Sequence, residues 1–244
     1  MIKIAFKKLL RHWGYEIQPY NVSWSSSARL NTFLKYHNID LVLDVGANTG
    51  QYASTLRDTG YTGEIISFEP LPHEFELLQE KTRKDGNWSA FNFALGDIDS
   101  SLNINVAKNS VSSSFLPIMN EHCEAAPESV YTASHLVDMR SLDTIFDPTW
   151  RNRRILMKID TQGYEELVIE GGALELPQIL ALQVEMSLQE LYEGAKIYKE
   201  IISLLNTHGF DLCGIEPGFS DPTSGAMLQF DGYFLNGRSQ LSPL

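Results

Sequence analysis

LVLDVGANTGQYA, residues 41–53, changes character halfway along. It opens inside the near-continuous apolar run IDLVLDV (39–45), the pattern of a strand covered on both faces. It closes into QYASTLRDTG (51–60), which reads as a helix stopped at Gly60. Between the two, Gly46 and Gly50 permit tight backbone turns and the close approach of a ligand. Asp44 adds a carboxylate at the strand end. Parallel α/β sheets bind ligands at the carboxyl ends of their strands, near the point where the strand order reverses. A strand, a tight turn and a helix in this order therefore predict both the fold class and the place of the site.

The same alternation extends outward. EIISFEP (64–70) is the second strand, HEFELLQEKTRKDG (73–86) an amphipathic helix with a glycine stop, and WSAFNFALG (88–96) the third strand. The pattern then breaks. LNINVA (102–107) alternates like an exposed strand, SVSSSFLP (110–117) is a serine-rich loop, and 118–134 has weak periodicity. VDMRSLDTIF (137–146) reads as a strand running into a short helix. Alternation resumes with RILMKID (154–160), YEELVIEGG (164–172), ILALQVEMS (179–187) and IYKEIISLLNTHG (197–209). FDLCGI (210–215) and AMLQFDGYFLN (226–236) read as two antiparallel strands. Repeated strand–helix units imply an α/β, doubly wound, mostly parallel sheet. The expected organisation is an N-terminal amphipathic helix and linker over 1–35, with a Rossmann-like domain over 36–244 whose insertion at 97–140 faces the substrate.

The 244 residues suit one domain with a small appendage, and 43% hydrophobic with 20% charged residues is an ordinary globular composition. A net charge of −12 offers nucleic acid no general attraction. Cys123 and Cys213 have no metal-type or redox-motif spacing, so they read as reduced thiols in a cytoplasmic protein. No run of about 18 apolar residues is present. In MIKIAFKKLLRHWGYEI, the residues Ile2, Phe6, Leu9, Leu10 and Trp13 share one helical face, with Lys3, Lys7, Lys8 and Arg11 largely opposite. Lacking a small-residue cleavage site, this is a poor signal peptide. It reads either as a helix packed against protein, including a homodimer contact, or as a peripheral membrane contact through residues 1–13. The Ser-rich stretch 18–32 reads as a linker or loose lid.

Two cofactors fit the turn. NAD wants G-x-G-x-x-G for its diphosphate, and G-A-N-T-G is incomplete. S-adenosylmethionine carries a sulfonium and no phosphate, and suits an acidic turn with fewer glycines. Glu69 ends the second strand, 19 residues after Gly50, where a carboxylate accepts hydrogen bonds from ribose hydroxyls. A bare βαβ turn with no ligand is the plain alternative.

DVGANTGQYA, FEP (68–70), NFALG (92–96) and KIDTQGYEELVIEGG (158–172), in that order, resemble the FkbM-type S-adenosylmethionine-dependent methyltransferases, with similarity running from about residue 36 to 237. The resemblance implies a class I methyltransferase fold with seven strands, the last antiparallel, and helices on both faces. It implies that Asp44, Gly46, Asn48 and Gly50 form the cofactor loop, that Glu69 binds the ribose, and that Asn92 and Ala94 contact the adenine. Gln162 departs from the family pattern, where many relatives carry Glu, and is therefore expected to matter less.

Methyl transfer is an in-line attack on a sulfonium methyl, and a hydroxyl acceptor must also give up its proton. Lys158 and Asp160, two apart, point to the same side of the fourth strand, and Glu185 and Ser187 end the fifth. Asp160, Glu185 and Lys158 are the catalytic candidates, with His135 in the insertion as a further base. Asp160 could equally cap the following helix, Lys158 pair with a carboxylate, and Glu185 bind a backbone amide. Asp160 and Glu185 together could also hold Mg²⁺. His122 and His135 read most simply as solvated loop residues. Ser112, with Ser113 and Ser114, is expected to approach the cofactor. Tyr164 is expected at the site mouth, either stacking on a sugar or capping the core, and Tyr233 in packing.

The resemblance implies hydroxyl acceptors, chiefly on sugars and polyketide-type products, and the expected activity is O-methylation of a sugar in a bacterial glycan. No Asn/Asp-Pro-Pro-Tyr-like loop of the nitrogen-methylating kind is present. A NAD-dependent nucleotide-sugar oxidoreductase or epimerase would need a Tyr-x-x-x-Lys pair after a strand, which is missing. A non-catalytic cofactor-binding module would not need the intact loop.

Overall fold

The computed structural model describes residues 8–237. Residues 1–7, which carry Ile2 and Phe6 of the N-terminal apolar stripe, lie outside the described residues. Seven strands form one sheet in the order β3-β2-β1-β7-β8-β10-β9: β1 Leu41–Val45, β2 Glu64–Phe68, β3 Trp88–Phe91, β7 Ile155–Ile159, β8 Ala181–Ser187, β9 Phe210–Pro217 and β10 Gln229–Asn236. β1 pairs in parallel with β2 and β7, and β7 with β8, while β10 runs antiparallel to both its neighbours.

The two-residue period of a strand explains why β1, Asp44 apart, is apolar on both faces. Leu41, Leu43 and Val45 enter one core with Met157, Ile159, Leu182 and Val184, beneath the helices Glu165–Glu170 and Tyr198–Thr207. Val42 enters the other core with Leu156, Leu56 and Leu78, beneath the helices α1 Ser26–Tyr36, α2 Gln51–Asp58 and α3 Pro72–Thr82. Helices thus cover both faces, as expected. The chain leaves β1 toward β2 and β3 and reaches β7 only later, on the other side of β1, so the strand order reverses between β1 and β7. That reversal opens a crevice at their carboxyl ends.

Three differences from the sequence reading have simple causes. First, the expected linker ends at Ser25, whose side chain accepts a hydrogen bond from the amide of Ala28 and caps α1. Polar composition concealed that helix, and its Leu30 and Leu34 belong to the second core. Second, the stretch 88–96 is two strands, not one. After β3, Asn92 and Phe93 turn the chain so that Ala94–Gly96 (β4) joins a separate three-stranded sheet with Ser100–Ala107 (β5) and Tyr131–Ser141 (β6). Third, β6 starts at Tyr131, earlier than read, because only its later part has a buried, alternating face (Val137, Met139). A short helix, Asn120–Ala125, occupies the weakly periodic stretch before it. Among the described residues no helix is long and apolar enough to cross a membrane.

Candidate active site

The turn after β1 is held where only glycine fits. Gly46 has φ +77°, and a Cβ there would lie 1.9 Å from the carbonyl oxygen of Asp160. Gly50, at φ +79°, precedes α2 with its Cα against Leu78 and the ring of Trp88. The close approach at Gly46 brings the ends of β1 and β7 together. A cavity of about 60 Å³ lies between them. Gly46, Asn48, Glu69, Ala94 and Asp160 line it, and Ser110, Val111 and Ser113 of the loop after β5 cover it. No Lys, Arg or His lines it. A groove of about 410 Å³ adjoins it, sharing Gly46, Asn48, Val111 and Asp160 and adding Tyr52 and Lys158.

Two carboxylates on the cavity wall have opposite electrostatics. Glu69 is buried, and its two oxygens accept the amide hydrogens of Asn48 (2.7 Å) and Leu71 (2.8 Å). Burial pushes its carboxyl up to about 8, against the pull of those amides. Asp160 is also desolvated, yet it sits below the ordinary Asp value. The Lys158 ammonium 3.0 Å away and a hydrogen bond from Gln162 outweigh the burial. Lys158, buried above the ring of Tyr52, is itself held protonated by Asp160 and Asp44. Asp44 lies beneath the cavity and does not line it. One of its oxygens accepts from Ser67 (3.2 Å), while Oδ1 has no hydrogen-bond partner and lies 3.8 Å from Lys158 Nζ. Burial raises its carboxyl despite Lys158.

Gln162, discounted in the sequence, is the hub of the far wall. Its φ is +55°, an uncommon conformation for a non-glycine residue. Its Nε2 donates to both Asp160 Oδ1 (2.7 Å) and Glu185 Oε2 (2.6 Å). Its Oε1 accepts from the buried hydroxyl of Tyr192 (2.7 Å), and its carbonyl accepts from Ser114 Oγ (2.6 Å). Glu165 closes the turn, accepting from the amides of Thr161 and Gly163, and burial lifts its carboxyl to about 7. Glu185 also accepts from Gln229 Nε2 (2.8 Å). It does not line the cavity, and burial with Asp160 and Glu165 nearby holds its carboxyl well above the ordinary Glu value. Of the two carboxyls expected to act together, Asp160 faces the cavity and Glu185 stands behind Gln162.

The gap between Asp160 and Glu185 is filled by the Gln162 amide, a hydrogen-bond donor where a cation would need oxygen ligands. Among the described residues no three His, Cys, Asp or Glu side chains form a metal-binding group. The pair as arranged does not fit Mg²⁺.

Other expected site residues stand elsewhere. Asn92 donates to the carbonyls of Glu69 (2.9 Å) and Pro70 (3.0 Å), so it braces the strand end and does not line the cavity. Ser112 turns away from the cavity to Asn109 and Ser129. His135 lines a different groove, with His73, Glu74 and Lys108, and not the wall that carries Asp160. His122, expected in solvent, is buried against Tyr192 and Phe219, and burial lowers it to about 4. Tyr164 is buried against Phe115, the packing alternative of its two readings, and Tyr233 is buried in the second core. Tyr192 carries no motif. Its only sequence signal is a polar aromatic in a loop after a central strand.

Strand order, the single antiparallel strand and a cavity at the ends of β1, β2 and β7 define a class I methyltransferase fold. The chain belongs to the FkbM methyltransferase family, whose model, "Methyltransferase FkbM domain", matches residues 44–212. Among solved structures, it is similar to an FkbM methyltransferase from Methylobacillus flagellatus KT at 13% identity and a TM-score of 0.49, over 80% of this chain and 44% of that one. It thus spans less than half of that protein. It is also similar to a SAM-dependent methyltransferase from Aquifex aeolicus at 13% identity, over 90% and 94% of the two chains with a TM-score of 0.44. A precorrin-6y C5,15-methyltransferase from Geobacter metallireducens GS-15 shares 12% identity over 86% and 87%, with a TM-score of 0.44. No curated protein matches the chain.

Proposed function

We propose that the protein transfers a methyl group from S-adenosylmethionine to a hydroxyl of a sugar in a bacterial glycan or related natural product. One observation carries the choice of donor. The cavity wall presents the carboxyls of Glu69 and Asp160 and no basic side chain. Nothing on that wall offsets the charge of a diphosphate, and the ionised Asp160 favours a cationic ligand, which weighs against a NAD enzyme. When bound, S-adenosylmethionine supplies an electrophilic methyl on a sulfonium.

The chain's own residues then have separable tasks. Glu69 receives ribose hydroxyls. Backbone at Gly46 and Asn48 sets the approach of the ligand to β1. Asp160, kept ionised by Lys158, orients a donor group on its side of the cavity. As a weak base it aligns an acceptor hydroxyl more than it deprotonates it. Gln162 fixes Asp160 against Glu185. A hydroxyl acceptor is supported by the lack of a nitrogen-methylating loop, and the −12 charge weighs against nucleic acid. The role of residues 97–140 in holding the acceptor rests on Ser110, Val111 and Ser113, which cover the cavity.

The test is transfer of labelled methyl from S-adenosylmethionine to a panel of nucleotide sugars and oligosaccharides, with Asp160→Asn alongside. Label in a base-stable ether that falls at least about tenfold in the variant supports the reading. Label in amines only, or equal transfer by the variant, contradicts it.

A further inference from the structure

Residues 8–24 pack on almost nothing. Only Leu10 in that run is partly covered, and the segment includes Leu9, Trp13, Tyr15, Ile17, Tyr20, Val22 and Trp24, all exposed. Trp13, Tyr20 and Trp24 are 66%, 65% and 60% exposed, whereas Trp88 and Trp150 are each 8% exposed. Linkers that stay in water are poor in aromatics, so this composition calls for a partner. Residues 8–12 are helical, and the backbone hydrogen bonds that follow are local, such as those from the amides of Trp13 and Tyr15 to the carbonyl of Leu10. Arg29, reaching back to the carbonyl of Val22 and to Glu216, ties the segment's end to the domain.

Charge says which partner. Residues 1–24 hold four basic side chains (Lys3, Lys7, Lys8, Arg11) and one acidic (Glu16), while the rest of the chain holds 15 basic and 30 acidic. Two strongly acidic bodies repel each other, which disfavours a second copy as the occupant. An anionic bilayer attracts the basic segment and repels the body. Trp and Tyr are the side chains that settle at the headgroup level, with an apolar ring and a polar edge. We propose that residues 8–24 form a docking surface for anionic phospholipid, holding the rest of the chain off the bilayer. The inference is independent of the methyl-transfer reading.

The experiment uses the full chain and vesicles of phosphatidylcholine alone or with about a third phosphatidylglycerol. Sedimentation with vesicles and Trp emission are read together, because Trp88 and Trp150 are already buried and any blue shift reports Trp13 and Trp24. Binding to the anionic vesicles is expected at least about tenfold tighter than to the neutral ones, each basic residue contributing roughly fivefold near the surface. Added salt and Lys8→Glu with Arg11→Glu should weaken it. Trp13→Ser with Trp24→Ser should abolish the shift without altering the melting temperature, since neither ring packs on the domain. No sedimentation with anionic vesicles overturns the proposal. So does a solution dimer that the tryptophan variant converts to monomer, which would assign the surface to a second copy.

Discussion

Glu69 at the end of β2 and Asp160 beyond the end of β7 line one cavity, both desolvated, yet they are driven in opposite directions. Glu69 meets only backbone amides and is pushed up to about 8. Asp160 meets an ammonium at 3.0 Å and stays ionised. The difference is one cation, Lys158. It separates a carboxyl that waits for a ligand's donors from one already committed to an internal partner. Groups pushed apart in this way mark functional sites.

The comparison breaks most severely where the two strand ends meet. Gly46→Ala places a Cβ 1.9 Å from the Asp160 carbonyl at positive φ. It should cost more than about 3 kcal/mol in urea unfolding, because backbone at both strand ends must move. Lys158→Met removes the cation and strands Asp160 and Asp44. The expected loss is about 3–5 kcal/mol at neutral pH. The depressed value of Asp160 contributes stability that is present above its unfolded value and lost as pH falls through the folded one. The deficit of the variant should therefore shrink in acid, and a deficit constant with pH would mean that Lys158 acts through packing.

Glu69 has the reverse sign. Its folded value, about 8, lies above the ordinary 4.5, and that of Glu165 lies at about 7. Between those values the folded chain keeps protons that the unfolded chain has lost. Stability of the ligand-free protein should fall as pH rises through this window, by up to ~1.4 kcal/mol per pH unit for each proton retained. Glu69→Gln should flatten the slope near pH 8, measured by unfolding at several pH values. The smallest effect is expected of Tyr192→Phe. It removes the hydroxyl that donates to Gln162 Oε1 and to the Ser112 carbonyl, at about 1–2 kcal/mol, and should leave the pH slope through Glu69 unchanged.

The strands that sit between helices were legible because burial on both faces writes a continuous apolar run, as in β1 and β7. The final antiparallel pair was legible from its turn and lengths. The second sheet was not, because β4 has three residues and follows β3 after two, so a single apolar run hides the change of sheet. At the site, Gly46, Asn48, Glu69, Ala94 and Asp160 were expected and line the cavity. Their positions follow from backbone geometry, which a strand–turn–helix pattern encodes locally. Gln162 and Tyr192 meet across 30 residues of chain, and no local pattern records such a contact. Asn92 and His135 show the converse: suitable residue types, one after a strand and one in the insertion, that do not line this cavity.

The central claim is that this cavity takes a cationic donor whose ribose binds Glu69. Titration calorimetry of the full chain with S-adenosylmethionine, against NAD and against Glu69→Ala, tests it directly. The account predicts micromolar-range binding of the donor, none of NAD, and loss in the variant. It also predicts a roughly tenfold gain in affinity from about pH 7 to about pH 9, as Glu69 gives up its proton to accept the ribose hydroxyls. Preference for NAD, or donor binding indifferent to Glu69, would contradict it.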